Sequence, residues 1–155
     1  SAVLTLPTPP LPDSQSPLFS LPIRVYWEDT DAGGVVYHAA YLCFLERART
    51  EWLRALGVSQ QALREAEDVV FAVRGMLLDF LAPARLDDAL DVEVRLIEAG
   101  RASFTFAQRI LRPCDSRVLL EAEVRVACLA ASAFRSRALA DWLRAHFRIL
   151  MNEVS

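Results

Sequence analysis

The segment EDTDAGGVVYHAAY, from Glu28 to Tyr41, brings together residue types that can do chemistry. It contains the acids Asp29 and Asp31, a pair of glycines, and one of only two histidines in the 155-residue chain. A carboxylate can attack a carbonyl carbon or activate water, and glycine lets a ligand come close to the backbone. A histidine can donate to a carbonyl or hold a water molecule. This mixture is poor material for a hydrophobic core, and we interpret it as a candidate active site.

Three binding motifs that use similar residues do not fit this segment. A calcium loop beginning at Asp29 would need an oxygen ligand at its fifth position and Glu at its twelfth, but Gly33 and Ala40 occupy them. A phosphatase-type loop would need a lysine, whereas all 17 basic residues of the chain are Arg. The dinucleotide pattern G-x-G-x-x-G is missing. We therefore expect no metal and no cofactor, and a polar turn without chemistry is the alternative interpretation.

Composition and charge exclude several classes of partner. The net charge is −3, from 17 basic and 20 acidic residues, and no basic run suited to a phosphate backbone is present. Cys43, Cys114 and Cys128 form no C-x-x-C pair, so neither a disulfide framework nor a zinc site is indicated. We expect a soluble, cytoplasmic, single-domain protein that binds no nucleic acid and does not insert stably into a membrane.

The elements that must position the candidate site follow from the hydrophobic pattern. Six prolines within residues 1–22 predict a flexible leader, and residues 23–27 begin a short strand. From Tyr37 to Gly57 apolar residues recur at helical spacing, which predicts one long helix. A short helix from Ser59 to Glu67 follows. The other face of the long helix is expected to meet solvent or another subunit, and its charged residues are Glu46, Arg47, Arg49, Glu51 and Arg54.

The second half of the chain changes to a period of two. Apolar and polar residues alternate over residues 90–96, 103–106 and 118–126, which predicts antiparallel strands, with a less regular strand over 73–81 before them. A final helix is predicted from about Ser136 to Phe147. The order strand, long helix, short helix, four strands, helix favours an α+β domain over residues 23–150, in which one antiparallel sheet curls around one long helix.

The two glycines lie between the first strand and the long helix, so they deliver the chain into the helix near Tyr37. The first N–H groups of a helix have no partner within it, and they form a small electropositive pocket. A carboxylate beside such a pocket suits acyl chemistry, because the N–H groups stabilise an oxyanion while the acid attacks or activates water. On these grounds Asp29 and Asp31 are both candidates, and His38 at the helix start could donate to the bound carbonyl.

The stretch YWEDTDAGGVVYHAAY at residues 26–41, followed by FLERARTE at residues 44–51, resembles the tol-pal-associated (YbgC-type) acyl-CoA thioesterases. These enzymes belong with the 4-hydroxybenzoyl-CoA thioesterases in the hotdog-fold superfamily. The resemblance is specific over residues 23–57 and looser through DFLAPARLDD, residues 79–88, to about residue 130. It implies a hotdog fold and hydrolysis of an acyl-CoA thioester to a free acid and CoA.

The resemblance also implies roles for individual residues. Asp31 would be the nucleophile or general base and His38 the second active-site residue, while Asp29 would support the turn. Arg101 falls where related enzymes place basic residues that contact the CoA phosphates, a role for which Arg is chemically suited. Further substrate contacts are expected at the helix start, from Gly34, Val35 and Tyr37.

The resemblance further implies a homodimer with one continuous sheet, commonly paired into a homotetramer. Besides acyl-CoA, acyl carrier protein is a second candidate partner. Two positions depart from the family pattern: Trp27 replaces a frequent Tyr, and Ala40 replaces an Asn whose side chain could orient the site. Two other functions stay open. One is an acyl-thioester dehydratase, and the other is a non-catalytic module that binds acyl-CoA or acyl carrier protein, which the loss of Asn at position 40 favours.

Overall fold

The computed structural model describes residues 18–152, and its elements follow the predicted order of strand, two helices, four strands and helix. A 3-10 turn at Trp27–Asp29 separates the first strand from the long helix. The elements are β1 (Phe19–Arg24), α1 (His38–Ala55), α2 (Gln60–Glu67), β2 (Val69–Phe80), β3 (Ala89–Ala99), β4 (Ser103–Arg112), β5 (Arg117–Ala130) and α3 (Asp141–Asn152).

The five strands form one antiparallel sheet in the order β1-β3-β4-β5-β2. The strands after the helices are neighbours in sequence and in space, except that β2 pairs with β5 rather than β3. This leaves β2, a 12-residue strand, as one edge of the sheet. A register shift between Val73 and Gly75 bends that edge, as β-bulges do.

Alternation along the strands directs one face of the sheet against α1 and α3. In β3 the residues Leu90, Val92, Val94 and Leu96 are buried, which confirms the predicted period of two. The indole of Trp52 on α1 lies 5.0 Å from the Phe106 ring of β4, measured between ring centroids. Burial of such large side chains stabilises the domain by about 1.5–3 kcal/mol each. The core therefore fixes α1 across the sheet, as predicted.

The predicted charged face of α1 is wrong at Arg49, whose side chain is buried with 7% of the residue exposed. Its Nη1 donates to Oε1 of Gln108 on β4 at 3.0 Å, and Gln108 Nε2 donates to the Leu45 carbonyl at 3.2 Å. Burial lowers the pKa of Arg49, and the charge of Glu46 opposes that effect. Arg49 adjoins the apolar stripe through Leu45 and Leu53, so the curled sheet covers it as well.

Two element boundaries differ from the predictions. β1 begins at Phe19, so residues 19–22 belong to the sheet rather than to the predicted leader. Pro22 is tolerated because β1 is an edge strand, where a missing N–H breaks no ladder on the outer side. α3 begins at Asp141 rather than near Ser136, because Ser136 forms a bridge with Leu129 of β5. The remainder of the predicted leader, residues 1–17, lies outside the described residues.

Among residues 18–152, no helix has both the length and the apolar character needed to cross a membrane.

Candidate active site

Asp31 opens a tight turn that leads into α1. Its backbone N–H donates to the Val35 carbonyl at 2.9 Å, and the Gly34 N–H donates to the Asp31 carbonyl at 3.0 Å. Gly34 has a φ of +78°, which L side chains rarely adopt, so glycine is required for this turn. Beyond the turn, a bridge between Thr30 and Val36 holds the two arms of the loop together.

The Asp31 carboxylate is anchored through one oxygen. Oδ1 accepts hydrogen bonds from the N–H groups of Gly33 at 2.8 Å and Val35 at 3.4 Å. A Cβ at position 33 would lie 3.2 Å from Oδ1, so glycine lets the backbone approach the carboxylate. The side chain is solvent-exposed, and Oδ2 has no hydrogen bond with any part of residues 18–152. The loop therefore presents an oriented carboxylate with one open oxygen.

Asp29 is occupied by contacts within its own turn. Its Oδ2 accepts from the Tyr26 N–H at 2.8 Å, which closes the start of the 3-10 turn. Its backbone carbonyl accepts from the Tyr37 N–H at 3.3 Å. These bonds connect the turn to the residue before α1. The two acids that look alike in sequence thus have different surroundings, since Asp29 is half-buried and bonded within its own turn, whereas Asp31 is exposed.

His38 is the first residue of α1, and two N–H groups of this first turn are free. Tyr37 precedes it in an extended conformation and provides no side-chain cap. The Ala40 N–H donates to the Tyr37 carbonyl at 3.0 Å, but within residues 18–152 the N–H groups of His38 and Ala39 reach no acceptor. Unpaired N–H groups and the helix dipole favour negative charge at this end. The exposed imidazole meets the Phe80 ring of β2 edge-on, with 4.9 Å between centroids.

The predicted substrate-binding residues at the helix start use their N–H groups internally. Gly34 donates to the Asp31 carbonyl, Val35 to the Asp31 carboxylate, and Tyr37 to the Asp29 carbonyl. Any contact of these three residues with a ligand must therefore use other atoms. The Tyr37 side chain, 44% exposed, is available for such a contact. Their substrate-binding roles stay predictions.

The loop between β2 and β3, residues 82–88, is hydrogen-bonded to the Asp31 turn and to the start of α1. This contact was not predicted from the sequence. The Val36 N–H donates to the Ala84 carbonyl at 2.9 Å, and the Ala84 N–H donates to the Tyr41 phenol oxygen at 2.9 Å. Leu86 N–H reaches the Gly34 carbonyl at 3.4 Å. Burial raises the pKa of Tyr41, so its hydroxyl stays protonated. No sequence signal connects residues 43 positions apart.

Arg101 is not brought to Asp31 within one chain. It lies in the hairpin after β3, whereas the Asp31 loop adjoins the opposite end of β3 near Ala89. An 11-residue strand separates the two ends by roughly 30 Å. Arg101 is exposed, and its carbonyl accepts from the Leu139 N–H at 2.9 Å. Its predicted contact with CoA phosphates stays a prediction.

Two other residues of α1, Glu46 and Ala40, contribute no functional group to this site. Glu46 is exposed and lies two helical turns beyond His38. Ala40, at the departure from the family pattern, is buried in the core with 3% of its surface exposed. In the described part of the chain no group of three or more His, Cys, Asp or Glu residues could hold a metal ion.

Comparison with known proteins shows the family of this chain. A family model described as the thioesterase-like superfamily matches residues 25–147. The acyl-CoA thioester hydrolase YbgC of Escherichia coli O6:H1 is 50% identical over 131 residues, which cover 84% of this chain and 96% of that protein. The acyl-CoA thioesterase YbgC of Haemophilus influenzae is 46% identical over 132 residues, 85% of this chain and 96% of that protein.

A solved structure has the same architecture. The 1,4-dihydroxy-2-naphthoyl-CoA thioesterase from Synechocystis superposes with a TM-score of 0.76 at 27% identity, covering 83% of this chain and 94% of that chain. The sheet wrapped around α1 is the predicted hotdog fold. From the family model and the identity to these relatives together, this chain belongs to the thioesterase-like superfamily, among the YbgC-type acyl-CoA thioesterases.

Proposed function

We propose that this chain hydrolyses acyl-CoA thioesters to a free acid and CoA, with Asp31 as the catalytic carboxylate. One observation carries the assignment of Asp31. Its carboxylate is anchored through Oδ1 and open at Oδ2, in a loop that leads directly to the unpaired N–H groups at the start of α1. Acyl chemistry requires both a nucleophile or base and donors for the oxyanion.

In the reaction, the thioester carbonyl oxygen lies against the N–H groups of His38 and Ala39. As nucleophile, Asp31 Oδ2 attacks the carbonyl carbon, and the N–H groups stabilise the tetrahedral oxyanion. The C–S bond then breaks, CoA leaves as a thiolate that takes a proton from water, and water hydrolyses the resulting mixed anhydride. As general base, Asp31 instead takes a proton from the attacking water, and no anhydride forms. In both routes the imidazole of His38 orients the substrate or the water.

The edge strand β2 supports a dimer. Its outer backbone groups have no strand partner in the described chain, and three of its apolar residues are exposed, Leu77 at 70%, Val73 at 46% and Phe80 at 42%. A long apolar edge of this kind invites pairing with another strand. We propose that two copies pair through β2 into one continuous sheet, and that such dimers form the predicted homotetramer. Because Arg101 is remote from Asp31 within one chain, we propose that it contacts the CoA bound at the Asp31 site of a second copy.

Sedimentation analysis of Leu77→Arg tests the dimer. We expect this variant to shift toward the monomer, because a charge replaces an exposed apolar side chain on the edge strand that is proposed to pair. Ile149→Arg on α3 is the matched control, since Ile149 is also exposed, at 64%, and lies outside the sheet. A dimer that survives Leu77→Arg with unchanged affinity would contradict pairing through β2.

We also propose that the protein acts in the cytoplasm, because Cys43, Cys114 and Cys128 form no disulfide, as is usual in a reducing compartment.

Release of free thiol tests the activity. Wild type, Asp31→Asn and Asp29→Asn would be followed over short, medium, long and aromatic acyl-CoAs, and over acylated carrier protein. We expect Asp31→Asn to lower kcat by about 10²–10⁴-fold, the usual contribution of a general acid or base. Asp29→Asn keeps an acceptor for the Tyr26 N–H, so it should retain most activity.

Three other results would point elsewhere. Binding of acyl-CoA by wild type without any thiol release would favour a binding module. Loss of water from a 3-hydroxyacyl-CoA without thiol release would favour a dehydratase. Full activity in Asp31→Asn would assign the chemistry to another residue.

A further inference from the structure

We propose that Arg112 is a positioning residue for the thioesterase reaction. It holds the loop 82–88 against the Asp31 turn and the start of α1. This inference rests on the proposed function. Arg112 touches none of the candidate catalytic groups, and its effect passes through backbone hydrogen bonds. The guanidinium lies at the end of β4, where three segments of the chain converge.

Arg112 makes a dense set of polar contacts with two acids and a carbonyl. Its Nη2 and Nε reach the Asp115 carboxylate at 2.9 and 3.2 Å, and its Nη1 reaches Asp88 Oδ2 at 3.1 Å and the Pro83 carbonyl at 3.4 Å. Only 14% of its side chain is exposed. Isolated surface ion pairs contribute little, but a shielded, forked guanidinium with several acceptors has a defined geometry. Arg112 is therefore a clamp rather than a solvated charge.

Both loop contacts act on the backbone around Ala84. Asp88 Oδ2, which accepts from Arg112, also accepts from the Arg85 N–H at 2.9 Å. Pro83, whose carbonyl Arg112 approaches, precedes Ala84 directly. Arg112 thus contacts the loop on both sides of Ala84.

The same loop segment carries the site. The Ala84 carbonyl accepts from the Val36 N–H, two residues before His38, and Arg85 pairs with Val35, whose N–H donates to Asp31. A displaced loop would move the carboxylate and the oxyanion donors relative to each other. Misplacement by about 1 Å can cost on the order of 10²-fold in rate, even when the altered residue is remote from the chemistry.

Arg109 offers a matched control on the same strand. Its Nε pairs with Glu93 of β3 at 2.8 Å, and it has no contact with the loop 82–88 among its hydrogen bonds in residues 18–152. Arg112→Met and Arg109→Met each remove one guanidinium and its ion pairing while they keep an apolar stem. A difference between them therefore reports on the specific contacts of Arg112 rather than on the loss of one charge.

The test compares kcat and KM for thiol release from one acyl-CoA that wild type hydrolyses. We expect Arg112→Met to lower kcat by about tenfold with little change in KM, because positioning acts on the transition state, and Arg109→Met to leave both unchanged. Arg112→Lys, which keeps one charged donor, should be intermediate. Equal kcat in Arg112→Met and Arg109→Met would overturn the inference. Lack of thiol release by wild type would instead overturn the proposed function.

Hydrogen exchange provides a readout that does not depend on activity. The amide of Val36 donates to Ala84, so a loosened loop should speed its exchange in a peptide that covers residues 35–38. We expect this acceleration in Arg112→Met and not in Arg109→Met. Unchanged exchange in both variants would contradict the proposed clamp, whatever the kinetics show.

Discussion

The phenol oxygen of Tyr41 accepts a hydrogen bond from the backbone N–H of Ala84 at 2.9 Å. This bond joins the first turn of α1 to the loop 82–88, and both residues are buried, with 4% and 0% of their surfaces exposed. The carbonyl of Ala84 also accepts a hydrogen bond from the N–H of Val36, which precedes His38 by two positions. Two hydrogen bonds thus hold the start of α1 to the loop 82–88: one uses the Tyr41 side chain, and the other joins the backbones of Val36 and Ala84.

Replacement of Tyr41 by Phe should destabilise the protein by about 1–3 kcal/mol, because it leaves the buried Ala84 N–H without an acceptor. Urea unfolding would measure the change. Tyr37→Phe is the matched control, since the Tyr37 side chain is exposed and has no hydrogen bond in the described chain. Equal stability of the two variants would show that the bond contributes nothing net.

Replacement of Gly34 by Ala should destabilise the protein by about 1–2 kcal/mol, because an L side chain is strained at a φ of +78°. Gly57→Ala is the control, since Gly57 has a φ of +85° and equally open space around it. Both variants should lose similar stability in urea, but only Gly34→Ala should also lower kcat for thiol release. Equal kcat values in the two variants would show that the geometry of the Gly34 turn does not contribute to catalysis.

Replacement of Gln108 by Leu should destabilise the protein by about 3 kcal/mol, because it leaves the buried Arg49 guanidinium without its acceptor. The double variant Gln108→Leu with Arg49→Met should recover part of this loss, since the uncompensated charge is then gone. A double-mutant cycle of free energies of unfolding measures the coupling. Purely additive losses would mean that the pair does not interact in solution.

Low pH should lower the free energy of unfolding partly through protonation of Asp68. Hydrogen bonds from Ser132, with its hydroxyl at 2.7 Å and its N–H at 2.9 Å, together with the charge of Arg137, lower the pKa of Asp68. The unfolded chain therefore binds more protons near pH 4 than the folded one. The stabilisation is complete above the unfolded pKa and is lost as the pH falls through the folded pKa.

We expect Asp68→Asn to flatten the fall in unfolding free energy below about pH 4, because that variant has no proton to gain at this position. Asn also tolerates the left-handed φ of 56° at this residue. Ser132→Ala should flatten the same limb less strongly. Urea unfolding at several pH values measures the slope, and an unchanged slope in Asp68→Asn would exclude Asp68 as a contributor.

Most of the fold can be predicted from the sequence, because the hydrophobic patterns that indicate its helices and strands are local. The apolar stripe through Phe44, Ala48 and Trp52 and the alternation in β3 each depend on residues a few positions apart, and both predictions are confirmed. Pro22 obscured the start of β1, because whether a proline fits a strand depends on the edge that the strand occupies. Arg49 was misplaced for a similar reason, since burial at the margin of a helical stripe depends on how far the sheet curls.

For the candidate site, the sequence by itself determined the ingredients: a carboxylate, two glycines and a helix start within a few positions of one another. Sequence separation of a few residues limits how far these groups can move apart, so their proximity was predictable. Only the tertiary structure decided that Asp31 is exposed while Asp29 is half-buried, and that Arg112, Ala84 and Tyr41 support the loop and the helix start. Those outcomes depend on hydrogen bonds between segments distant in sequence, and packing of the whole sheet selects such bonds.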